Sequence, residues 1–153
     1  MNRTMLLLIC LFLSQNIFAD VLSQWRGPDR DGIYPNENLL TEWPQAGPKL
    51  LWKAVGLGEG YSSPAVTEDR VYVTALLDDT GYLFAFDHQG NPVWNVAYGP
   101  EWDKGHPGTR TTPTVVNDKM YLVSGVGHVI CVSTSGEILL TVNMVKEFGA
   151  DVL

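Results

Sequence analysis

The chain has 153 residues, 45% of them hydrophobic and 18% charged, with 10 basic and 17 acidic side chains and a net charge of −7. That composition excludes collagen-like, low-complexity and intrinsically disordered classes, and the length fits one domain. The acidic balance argues against nucleic acid or anionic lipid as a partner, because both are held through dense Lys and Arg.

Residues 1–19 read as a signal peptide: Arg3 gives a positive start, residues 5–13 are an unbroken apolar run, and Ala19 ends a small-residue cleavage region. The run is shorter than the roughly 20 residues that a membrane-spanning helix needs, so no span is expected in the mature chain. Cys10 lies mid-run behind Ile9, a poor context for lipidation. The expected location is therefore the periplasm or the exterior. Cleavage near Asp20 leaves Cys131 as the remaining cysteine, which rules out an intramolecular disulfide framework. With no base or cation adjacent, Cys131 reads as a small core residue within the apolar run 128–132.

Residues 20–49 read as an N-terminal extended segment. Within it, Gly27-Pro28-Asp29-Arg30-Asp31-Gly32 invites a calcium reading. Taking Gly32 as the loop glycine of an EF-hand puts the first and closing ligand positions at Gly27 and Asn38, and neither is acidic. A polar turn with Asp–Arg pairing is the better reading, and no metal site is predicted.

From residue 62 onward the chain repeats itself. Pro64 and Pro113, Asp69 and Asp118, and Tyr72 and Tyr121 are each 49 apart, while Gly81 and Gly127, and Gly90 and Gly136, are 46 apart. The offset drops by three where Asp78-Asp79-Thr80 lies in the first copy, read here as a longer turn. Register kept on both sides of a polar insertion is what a repeated structural unit requires. Each copy divides into four short strands separated by turn residues: 62–67, 70–76, 82–87 and 92–97, then 112–116, 119–124, 128–133 and 137–143. Several strands are apolar on both faces, so both faces need cover. Four strands per unit at this period predict an all-β fold, two antiparallel blades (62–97 and 112–143) of a β-propeller.

The segment Leu51-Trp52-Lys53-Ala54-Val55 resembles Val93-Trp94-Asn95-Val96-Ala97, so residues 50–55 read as an orphan outer strand leading a partial propeller at 50–153. The longest loop, 102–110, runs from the outer strand of the first blade to the inner strand of the second. Loops in that position lie at a propeller's mouth, which makes Asp103, His106 and Arg110 its polar reporters, along with Glu59 before the first blade. The plainer reading of a lone His there is a solvated turn residue, and Gly58-Glu59-Gly60-Tyr61 reads as backbone flexibility before the inner strand. Zinc-type His/Cys spacing, a phosphate loop and a nucleophile elbow are all missing from the sequence, so no catalytic residue is assigned.

The run Ala85-Phe86-Asp87-His88-Gln89-Gly90-Asn91-Pro92-Val93-Trp94 resembles the Ala-x-Asp…Gly…Trp motif of the pyrroloquinoline-quinone-like (PQQ-like) β-propeller repeat family. The second copy is weaker, with Cys131, Ser133, Gly136 and Leu140 at those places. The resemblance implies that the tryptophans dock between blades and that Leu140 marks looser packing. It also implies a full ring of about six to eight blades, so the chain is expected to be a fragment. Trp25-Arg26-Gly27-Pro28-Asp29-Arg30-Asp31-Gly32 and Gly58-Glu59-Gly60-Tyr61 are similar to segments of exported bacterial members.

The function expected from this reading is a non-catalytic binding or scaffold module, exported and without a cofactor. Its partner would be another envelope protein or a surface polymer, and a truncated chain would self-associate through uncovered blades. The alternative implied by the family is a quinoprotein dehydrogenase that oxidises alcohols or sugars with PQQ and calcium on the ring axis. Its alcohol-oxidising members carry adjacent cysteines, which the mature chain lacks, and similarity of fold does not carry activity with it.

Overall fold

The computed structural model describes residues 23–27, 29–34 and 39–151, so the predicted leader at 1–19 lies outside the described residues. Strands β1 (Ala65–Val66), β2 (Val71–Leu77), β3 (Thr80–Phe86) and β4 (Pro92–Pro100) form one four-stranded sheet in sequence order. Strands β5 (Thr114–Val116), β6 (Lys119–Val123), β7 (His128–Ser133) and β8 (Ile138–Asn143) form a second sheet in the same order. Every strand pairing is antiparallel, which short sequential connections dictate. A one-turn helix, α1 (Met144–Phe148), follows β8, with Asn143 capping its start and Gly149 its end.

The two sheets agree residue by residue. Tyr72 pairs with Ala85 and Ala85 with Trp94; Tyr121 pairs with Cys131 and Cys131 with Leu140. The register shifts after Ala85 in the first sheet and after Cys131 in the second, so that irregularity repeats, while a further shift after Gly81 belongs to the first sheet alone. Pro64 and Pro113 each stand one residue ahead of the inner strand. Pro113 is buried beneath its neighbours whereas Pro64 is exposed, because only the second sheet has a sheet packed ahead of it among the described residues.

Two readings need correction. The additional residues at 78–80 lengthen the hairpin and tighten its turn. The β2–β3 ladder runs out to Leu77 opposite Thr80, around a two-residue turn with Asp78 at φ 48° and Asp79 at φ 60°. The second copy stops its ladder at Val123 opposite Val129 and turns through Gly127. Residues 50–55 ladder with no strand among the described residues, which is how an orphan outer strand stands without its partner. The loop 27–32 has no Asp–Arg ion pair among the described residues. Arg30 Nε donates to Gln24 Oε1 at 3.0 Å, Arg26 donates to the Asp31 carbonyl at 3.3 Å, and the Asp31 carboxylate accepts from Ile33 N at 2.8 Å.

The core lies between the sheets. Tyr72, Leu83 and Ala85 of the first pack against Met120, Leu122, Ile130 and Val132 of the second, with Trp94, Val96 and Val115 at the margin. Each large apolar side chain removed from water here contributes about 1.5–3 kcal/mol. Alternation along β2 and β6 decides which residues enter this seam.

Candidate functional site

The seam is where the repeat motif acquires its meaning. The Trp94 ring lies over the turn that ends β7, its Nε1 donates to the Thr134 carbonyl at 3.1 Å, and it stands 5.9 Å from the Tyr72 ring. A Cβ added at Gly136 would come within 2.9 Å of that indole, so the motif glycine is the surface on which the tryptophan rests. Trp52 repeats the arrangement one unit earlier. Its Nε1 donates to the His88 carbonyl at 3.0 Å, and a Cβ at Gly90 would stand 2.6 Å from its ring. Asp87 fixes the intervening turn by accepting from Gln89 N at 2.9 Å and Asn91 N at 2.8 Å. The Asn91 side chain contributes most to holding the Asp87 carboxyl below the usual carboxylate range. Ser133 takes this role in the second copy, accepting from Glu137 N at 3.0 Å.

A second tie joins the sheets near β4. Glu101, only 4% exposed, accepts from Tyr98 Oη at 2.7 Å, from Trp102 N at 3.0 Å and from Gly125 N in the turn before β7. Burial first, and then the Glu101 charge, push the Tyr98 phenol far above its ordinary value, so it remains a donor. Sequence reading missed this pair, because nothing local marks Glu101 as a residue that would be folded inward.

The loop-mouth candidates do not form one site. The 102–110 loop lies against the segment before β1, where Tyr61 N donates to Thr109 O at 2.7 Å and Gly60 and Thr109 form a parallel bridge. Glu59 is bridged to Leu76 through its backbone, and with Asp78, Asp79 and Asp103 it lines an acidic cleft of about 350 Å³. Sequence offered Glu59 no second carboxylate; folding supplies three. Among the described residues, no group of three or more His, Cys, Asp or Glu side chains is placed to hold a metal ion.

Arg110 faces a different cleft of about 590 Å³, whose lining includes Trp25, Arg26, Arg30 and Tyr61. His106 lines neither cleft; its carbonyl accepts from Arg110 Nη2 at 2.7 Å and so helps to aim that guanidinium. Arg26 and Arg30 were absent from the sequence candidates because they lie more than seventy residues from Arg110 along the chain.

The outer face of the second sheet is the remaining feature. Tyr121, Val123 and Leu140 are 42%, 40% and 53% exposed, while Tyr72, at the place equivalent to Tyr121, is 1% exposed. What one blade buries, the next presents to solvent.

Two like sheets seamed by tryptophan-on-glycine contacts define a β-propeller blade repeat. The model of the PQQ-like repeat family described as outer membrane protein assembly factor BamB matches residues 32–151, and the chain belongs to that family. Among curated proteins, none matches the chain. No helix among the described residues is long and apolar enough to cross a membrane.

Proposed function

We propose that the chain is a non-catalytic binding module, exported to the cell envelope, whose second sheet receives a further sheet on its outer face, from another protein or from a further blade. The observation that carries this is the exposure of Tyr121, Val123 and Leu140 at positions whose first-sheet counterparts are covered by a neighbouring blade. Contiguous apolar surface of this kind marks an interaction site. A flat, aliphatic face of the kind that Met120, Leu122, Ile130 and Val132 present to the first sheet would suit it. The family's description as an outer membrane assembly factor supports an envelope protein as the partner.

The test compares capture of envelope proteins by the exported chain and by a Tyr121→Lys, Leu140→Lys variant. Both side chains are exposed, so the variant should fold. A partner retained by the parent and lost by the variant supports the reading. Equal capture, or none by either chain, counts against it. Size-exclusion chromatography separates partner binding from association between copies, which the same face would also permit.

A further inference from the structure

A second surface, apart from the sheet face above, has its own chemistry. The cleft beside Tyr61 is lined by Arg26 and Arg30 from the N-terminal loop and by Arg110 from the loop ahead of β5; no acidic side chain of the described residues lines it. In a chain of net charge −7 this concentration of guanidinium is not a sample of the average surface. The ion pairs among the described residues are Arg70–Asp69 and Lys119–Asp118, so none of the three arginines is matched by a carboxylate at contact distance. They are aimed by neutral acceptors instead. Arg110 donates to the Gly108 and His106 carbonyls at 3.1 and 2.7 Å, Arg30 to Gln24 and Arg26 to the Asp31 carbonyl. Each guanidinium has five N–H donors, so these contacts leave donors over on every one.

The aromatic residues narrow the choice of ligand. Trp25 and Tyr61 are 65% and 64% exposed, and Arg26 and Arg110 lie over their rings at 5.8 and 5.4 Å. An arginine held against an aromatic face is stiffened and weakly hydrated, which suits bidentate recognition of a carboxylate. Exposed rings beside hydroxyl-bearing residues such as Thr112 and Thr114 suit the mixed C–H and O–H faces of a sugar. The volume is within the range of small-ligand sites, about 300–1,000 Å³, and accommodates a few rings at most.

We propose that this cleft binds an acidic saccharide through its carboxylates, with Arg26, Arg30 and Arg110 supplying the charge and Trp25 and Tyr61 the ring contacts. The site gives the module a surface-polymer ligand distinct from its protein partner.

The test is calorimetric titration of the exported chain with a trigalacturonate and with its methyl ester, which keeps the rings and removes the charge. Trigalacturonate should bind at micromolar to millimolar concentration, with the ester at least about tenfold weaker and the affinity falling as salt is raised. Arg30→Gln and Arg110→Lys should each weaken binding about tenfold without moving the melting temperature; Lys at 110 keeps a donor for the loop carbonyls while losing the fork. No binding of trigalacturonate, equal binding of the ester, or unchanged affinity in both arginine variants would overturn the proposal. The Tyr121→Lys, Leu140→Lys variant should bind the saccharide normally, so failure of one surface is distinguishable from failure of the other.

Discussion

Replacing Trp94 tests the seam on which the architecture depends. Trp94→Ala removes a half-buried indole, the Nε1 bond to the Thr134 carbonyl and the ring contact with Tyr72. A fully buried Trp→Ala change costs about 3–5 kcal/mol; the partial burial of Trp94 places it at the lower end, about 3 kcal/mol. Trp94→Phe keeps most of the ring and loses the bond, so it should cost about 1 kcal/mol. Gly136→Ala adds a Cβ 2.9 Å from the indole at a φ of 91°, combining a clash with backbone strain. In the Trp94→Ala background the clash disappears and the strain remains, so the double variant should be less destabilised than the sum by about 1 kcal/mol. Urea unfolding followed by far-UV circular dichroism measures the parent and all four variants. If Trp94→Ala fell within about 0.5 kcal/mol of the parent, or Gly136→Ala cost the same in both backgrounds, the tryptophan would not be fastening the sheets.

Glu101→Ala leaves the Tyr98 hydroxyl and two backbone N–H groups without their acceptor and should cost about 2–3 kcal/mol by urea unfolding, with Glu101→Gln costing less because one oxygen remains. The folded-state pKa of Asp87 is lowered, so its contribution is present above the unfolded-state value and is lost as pH falls through the folded one. Melting temperature followed from neutral to acidic pH should therefore drop less steeply for Asp87→Asn than for the parent. Cys131 is 5% exposed, so a thiol reagent should label it at the rate of unfolding rather than at that of a free thiol; immediate labelling of the native protein would contradict its burial.

The strand plan was legible because strands carry their evidence locally. Alternation fixes which side chains share a face, and the Asp78-Asp79 and Gly127 turns reverse the chain within a few residues. The prediction for 78–80 went wrong because a three-residue polar insertion looks the same whether it widens a loop or closes a longer ladder. Only the pairing of Leu77 with Thr80 separates the two. Residues 50–55 show the limit of a ladder as evidence: an orphan strand has none within its own chain, yet Trp52 still found its glycine. The short helix after β8 went unforeseen, although Asn143 and Gly149 are capping residue types, because one turn leaves no periodicity to read.

Sequence alone determined the unit: four strands, the copy number within this chain, and the Ala-x-Asp…Gly…Trp motif that places it in a propeller family. These are properties of neighbours along the chain, and spacing records them. Tertiary structure alone decided what each residue meets. Trp94 rests on Gly136, Glu101 turns inward to the Gly125 amide, and Arg26, Arg30 and Arg110 share a cleft while Asp103 joins Glu59 in another. Packing one sheet on the next brings distant segments together, and a one-dimensional pattern holds no measure of that distance.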